Sequence, residues 1–145
     1  MSVVSKVLEK KSGVTLAVPP DTTVFDTIKK MAEISAGTAL VMDGDQLIGI
    51  ISERDFIRKV YLKNECGKGV QVNAVMSTEL STVSPDDSIE DCLNKMTERR
   101  IRHLPVLEDG KVVGVISIGD LVKYMVDEKD FEIKNLQSYI SGPGL

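Results

Sequence analysis

Gly114-Val115-Ile116-Ser117-Ile118-Gly119-Asp120 repeats, 65 positions on, the stretch Gly49-Ile50-Ile51-Ser52-Glu53-Arg54-Asp55. Outward from that pair the likeness runs without a gap over residues 18–59 and 83–124. The copies agree at Val18/Val83, Pro20/Pro85, Asp21/Asp86, Asp26/Asp91, Lys30/Lys95, Met31/Met96, Glu33/Glu98, Val41/Val106, Gly49/Gly114, Ile51/Ile116, Ser52/Ser117 and Asp55/Asp120. These are 12 identities in 42 positions, where chance composition gives about two or three. Solenoids need three or more short units to bury their faces, so two long units point to paired lobes about a pseudo-two-fold axis. Such an axis creates two equivalent clefts.

Each copy reads as an α/β unit. Val18 or Val83 ends a short extended stretch, and Pro20-Asp21 or Pro85-Asp86 turns the chain. Thr23-x-x-Asp26 and Ser88-x-x-Asp91 have capping-box spacing, a hydroxyl and a carboxylate placed to satisfy the free amides of a helix start. The helices they open carry Val24, Ile28, Met31 and Ala32, or Ile89, Leu93 and Met96, at helical spacing along one face. Next come Ala39–Met42 and Leu104–Leu107, joined through Asp43-Gly44-Asp45 and Glu108-Asp109-Gly110 to Leu47–Ile51 and Val112–Ile116. These are hairpins with Gly-containing turns, apolar enough to be expected buried on both faces. Asn64-Glu65-Cys66-Gly67-Lys68-Gly69, between the copies, has loop composition.

Bulk properties mainly exclude. A chain of 145 residues can bury one real core but leaves no room for a second catalytic domain. Eighteen basic against 22 acidic residues give a net charge of -4, which argues against a general nucleic-acid or anionic-membrane binder, so any anion site is local. With no apolar signal core and no apolar run of membrane-spanning length, the expected location is the cytoplasm. Cys66 and Cys92 lie far apart without a metal-ligand pattern and read as free thiols. No P-loop, metal cluster or nucleophile elbow is present, and His103, the single histidine, has no nucleophile partner.

The Pro-Asp turn before each first helix, Arg102-His103-Leu104-Pro105-Val106, and the paired Gly-to-Asp segments together resemble the tandem cystathionine-β-synthase (CBS) domain pair, or Bateman module, over essentially the whole chain. The resemblance implies two pseudo-symmetric β-α-β-β-α repeats with an extended C-terminal helix. It divides the single module 1–145 into a first repeat 1–60, a connector 61–71, a second repeat 72–125, and a helix and tail 126–145. It also implies a sensor rather than a catalyst, binding AMP, ADP or ATP, or alternatively NAD or S-adenosylmethionine, between its repeats, and acting on a separate regulated protein. A dimerisation scaffold with empty clefts is the competing reading.

Carried onto this sequence, the resemblance gives Asp55 and Asp120 the ribose hydroxyls, with Ser52 and Ser117 adding their own hydroxyls. Ser-x-x-Asp is equally the spacing of a plain capping box, and one residue can serve both ends because a capping carboxylate keeps lone pairs free. Phosphate would fall to Arg102 and His103, at a helix-to-strand junction where Arg99 and Arg100 are explained by the helix dipole alone. The first repeat has Ala36-Gly37-Thr38 at that junction, without a cation, so the clefts are expected to be unequal; Arg54 could supply charge there or lie solvated. By position, Leu16, Val18, Ile51, Thr82, Val83 and Ile116 could wall an adenine ring, and all six are equally good core residues.

The last helix is expected to run from Ser117 to about Ser141, stopped by Gly142-Pro143-Gly144. Val122, Val126, Ile133, Leu136 and Ile140 fall on one stripe. The stripe needs either its own lobes or a partner. The resemblance implies flat, disc-like homodimers paired through helices, to which this helix would add a clasp.

Overall fold

A computed structural model describes residues 2–11, 15–63 and 66–140. The element order is α1 (Val4–Lys10), β1 (Ala17–Val18), α2 (Val24–Ile34), β2 (Thr38–Asp43), β3 (Gln46–Ser52), α3 (Glu53–Lys59), α4 (Ile89–Arg99), β4 (His103–Glu108), β5 (Lys111–Ser117) and α5 (Ile118–Ile140), with short 3-10 turns at Tyr61–Lys63 and Val72–Ala74. β1 pairs parallel with β2, and β2 antiparallel with β3. The second lobe repeats this with β4 antiparallel to β5, while Val83 alone stands for the outer strand in a parallel bridge to Val106. Both hairpins slip register at the same place, between Val41 and Met42 and between Val106 and Leu107.

The repeat carries its local chemistry with it. Thr23 and Ser88 accept the N–H of Asp26 (3.2 Å) and Asp91 (3.0 Å), so these two starts form only the hydroxyl half of the expected capping box. α2 and α4 end on left-handed residues, Ser35 at φ 56° and Arg100 at φ 55°, which turn the chain toward the strands facing the other lobe. Asp109 and Gly110, at φ 52° and 79°, form the two-residue turn that suits a right-twisted hairpin. The first hairpin turns on Gly44-Asp45, with positive φ at Gly44 alone (60°).

Each lobe has its own core. Val18, Val24, Met31, Ala39, Val41 and Ile51 fill the first, and Val83, Ile89, Cys92, Met96, Leu104, Val106, Ile116 and Leu121 the second. On α2 the buried stripe is Val24, Thr27 and Met31; Ala32, expected inside, is exposed. Thr27 tolerates burial because its hydroxyl donates to the Thr23 carbonyl at 2.9 Å. The hairpins are not buried on both faces throughout. Leu47, Ile48 and Ile50 are half-buried and Val113 is 47% exposed. β3 and β5 flank β2 and β4 at the sheet edges, where less of the fold covers them.

Two segments outside the apparent repeat complete these cores. α1 buries Val4 and Val7 in the second lobe, with Val4 N–H donating to the Asp87 carbonyl at 2.9 Å. Residues 70–77 do the same for the first lobe, with Val72 N–H donating to the Thr22 carbonyl at 2.8 Å. The bridges Val3–Ser88 and Thr23–Gln71 are counterparts, so Val4 answers to Val72 and Leu8 to Met76. Leu8 lies where a side chain on Gly114 would go, and Met76 where one on Gly49 would go. The true repeat therefore starts earlier than the identities indicate, three residues out of step, and α1 had no element assigned to it from sequence.

α5 buries only Leu121 and Tyr124. Val122, Val126, Ile133, Leu136 and Ile140 are each more than half exposed, so the stripe does not pack back on its own lobes. The Gly142-Pro143-Gly144 stop, and Asn64 and Glu65 of the connector, lie outside the described residues.

Candidate functional site

The two repeats meet where β2 and β4 begin. There a cavity of about 260 Å³ is lined by Lys11, Thr15, Leu16, Ile34, Ser35, Ala36, Gly37, Thr38, His103, Val115, Ser117 and Asp120. Thr38 and His103 are repeat counterparts brought to one place. A β-carbon on Gly37 would stand 3.2 Å from the His103 ring, so glycine is what lets the imidazole approach.

Asp120 sits in the first turn of α5 and is fixed from two sides. Its Oδ2 accepts the Ser117 N–H at 2.8 Å and pairs with Lys11 Nζ at 3.0 Å, while its own N–H donates to Ser117 Oγ at 3.0 Å. Burial alone would raise its pKa, but the Ser117 N–H and the Lys11 ammonium outweigh that and hold it below the ordinary carboxylate value. Asp120 therefore stays ionised as an acceptor. His103 is pushed the other way: burial, then the Lys11 charge, lower its pKa below 6.5, and Asp120 only partly opposes them. Near neutral pH it is an uncharged imidazole, able to donate one hydrogen bond and accept one.

Of the residues expected at the site, Leu16, Thr38, His103, Ser117 and Asp120 converge on this cavity. Arg102 does not line it: the side chain is exposed, and the residue contributes its carbonyl to the Ile118 N–H at 2.9 Å. Val18, Val83, Ile51 and Ile116 are core residues, at most 3% exposed. Thr82 is half-buried and its carbonyl accepts Lys95 Nζ at 2.9 Å.

The first repeat's set is differently engaged. Asp55 Oδ2 accepts both the N–H (2.9 Å) and the hydroxyl (3.1 Å) of Ser52, and Oδ1 pairs with Lys59 at 3.4 Å. Arg54 reaches across to the Arg100 carbonyl at 3.3 Å, closing the end of α4. Ser52, Arg54 and Asp55 thus serve as caps, and none lines this cavity. A larger groove of about 910 Å³ between α2 and α3 is lined by Phe25, Ile28, Ala32, Phe56, Tyr61, Leu62, Lys29 and Cys66. Among the described residues it offers no carboxylate.

Lys11 is the charged site residue the sequence did not nominate; Thr15, Ile34, Ser35 and Val115 also line the cavity without having been nominated. Lys11 Nζ donates to the Val115 carbonyl as well as pairing with Asp120. The available signal was the spacing Val4, Val7, Leu8 ahead of Lys10-Lys11, one amphipathic turn and a half ending in cations. Among the described residues no group of His, Cys, Asp and Glu could hold a metal ion, and no helix is long and apolar enough to cross a membrane.

Comparison with known proteins agrees with this architecture. The sequence profile of the CBS domain matches twice, at residues 14–62 and 72–127. The mitochondrial CBS domain-containing protein CBSX3 of Arabidopsis thaliana is 39% identical over 127 residues, 84% of this chain, which spans 62% of that protein's length. The structure of a protein with CBS domains from Burkholderia ambifaria MC40-6 is 42% identical, with a TM-score of 0.83 over 87% of this chain and 95% of that one. At 24% identity and a TM-score of 0.73, covering 82% of this chain and 89% of that one, the fold is also that of the CBS domain protein PAE2072 from Pyrobaculum aerophilum, solved complexed with AMP. With two matches spanning most of its length, each falling on one lobe, the chain belongs to the CBS domain family as a tandem pair.

Proposed function

We propose that this chain is a non-catalytic regulatory module that binds an adenosine nucleotide, AMP, ADP or ATP, in the cleft between its repeats. The observation that carries the reading is the convergence of the ionised Asp120 carboxylate, the Ser117 hydroxyl, and the Thr38 and His103 side chains on one cavity. A fixed carboxylate with an open oxygen suits ribose hydroxyls, and the apolar edges of Leu16, Ile34 and Val115 suit a base. The AMP complex of the Pyrobaculum protein supports the same ligand class. Ligand occupancy would be passed in trans to a regulated partner in the cytoplasm, with the exposed stripe of α5 joining two copies as a homodimer.

A second reading has its own observation. Among the described lining residues only Lys11 carries a fixed positive charge, so an adenosine ligand without phosphate, such as S-adenosylmethionine, also fits the chemistry. Calorimetry with AMP, ADP, ATP and S-adenosylmethionine separates the two. Asp120→Ala is expected to weaken the preferred ligand by about ten- to a hundredfold, the loss of charge-assisted hydrogen bonds. Absence of heat with all four ligands would refute the sensor reading in favour of a dimerisation scaffold.

A further inference from the structure

Lys11 reaches the cleft from outside the two repeated segments, and its position limits what can bind. Asp120 Oδ2 already accepts the Ser117 N–H and the Lys11 ammonium. A carboxylate oxygen has about two acceptor sites, so Oδ2 is filled and Oδ1 alone is open. Oδ1 can accept a ribose hydroxyl with Lys11 in place, but a vicinal diol that grips one oxygen with each hydroxyl competes with Lys11 for Oδ2. The cavity volume points the same way: about 260 Å³ with Lys11 in its wall is below the roughly 300 Å³ at which small-molecule sites begin.

The ammonium can move without its backbone. α1 is anchored by Val4 and Val7 in the second core and by Leu8 against Gly114, while four side-chain torsions let the Lys11 tip swing. Its departure costs this ion pair, whose side chains are each 24% exposed, and the hydrogen bond to the Val115 carbonyl. An anionic group on the ligand restores the lost partner; a neutral nucleoside restores nothing. No other described lining residue offers a permanent cation, and His103 is held neutral near pH 7.

We propose that Lys11 is the specificity-determining residue of this cleft: it pairs with Asp120 until a ligand arrives, then swings to the ligand's phosphate, so that the site favours phosphorylated adenosine over adenosine. This rests on the reading of the cleft as an adenosine site. The test titrates the full chain, as wild type, Lys11→Met and Lys11→Arg, with adenosine and with AMP at neutral pH and low salt. Lys11→Met is expected to bind adenosine about threefold tighter, because Oδ2 is released, and AMP about tenfold more weakly, because the phosphate loses its cation. Lys11→Arg, which keeps the charge, should retain the wild-type preference for AMP. If Lys11→Met keeps the wild-type preference, the inference falls while the adenosine reading stands. A wild-type chain that binds neither compound overturns the adenosine reading, and this inference with it.

Discussion

Val7→Ala tests whether α1 is part of the second lobe or merely lies on it. Val7 is 2% exposed and packs with Val4 among Val83, Ile89, Leu104 and Ile116. The substitution removes two carbons, about 1.6 kcal/mol at 0.8 kcal/mol per buried methylene, and the unfilled space raises the cost to about 2 to 3 kcal/mol. For a chain of this length each kcal/mol moves the midpoint by about 3 to 4 °C, so Tm should fall by about 6 to 12 °C. Differential scanning calorimetry at one fixed protein concentration reads this, with Glu9→Ala, on the exposed side of the same helix, as the control expected within about 0.5 kcal/mol of wild type. A Val7→Ala protein as stable as the control would refute the packing of α1 in that core and, with it, the anchoring of Lys11.

Thiol chemistry separates the two cysteines: Cys66 is exposed, while Cys92 is buried and its thiol is pushed up to about 11, chiefly by burial and then by Asp87. Ellman's reagent at pH 8 should titrate one thiol in the native protein and two in denaturant. Asp120 titrates below the ordinary carboxylate value of 3.8 in the folded chain, so the stability it contributes is complete above that value and is lost as pH falls through the native one. The stability gap between wild type and Asp120→Asn in urea melts should therefore narrow from pH 5 downward. Truncation after Asp127 removes Ile133, Leu136 and Ile140, none of them buried, so both lobes should remain folded while self-association weakens in sedimentation velocity. A truncated chain that associates as tightly as the full one would remove α5 from the proposed dimer contact.

Much of the fold was legible because the repeat writes its local rules twice. Hairpins were marked by Gly44 and by Asp109-Gly110, and helix starts by Thr23, Ser52, Ser88 and Ser117, each a signal contained within a few residues. What could not be read depends on partners distant in sequence. α1 and residues 70–77 keep in common only the valines Val4/Val72 and Val7/Val75, too few to stand out, and three extra residues put them out of step with the repeated segments downstream. Arg102 and His103 looked equivalent as phosphate ligands, yet successive side chains entering a strand point to opposite faces, and His103 takes the cleft while Arg102 takes solvent. Asp55 and Asp120 share a motif and differ in use, since Lys59 and the Ser52 hydroxyl claim the oxygens of one, whereas Lys11, from across the fold, meets the other.

The central claim, an adenosine nucleotide held between the repeats on the Asp120 side, is tested most directly by titrating AMP into the ¹⁵N-labelled full chain and following backbone amide shifts. The account predicts saturable changes concentrated at Gly37, Thr38, His103, Ser117 and Asp120, with the amides around Ser52 and Asp55 far less affected. Shifts centred instead on the groove of Phe25, Phe56 and Tyr61, or no shift at millimolar AMP, would contradict it.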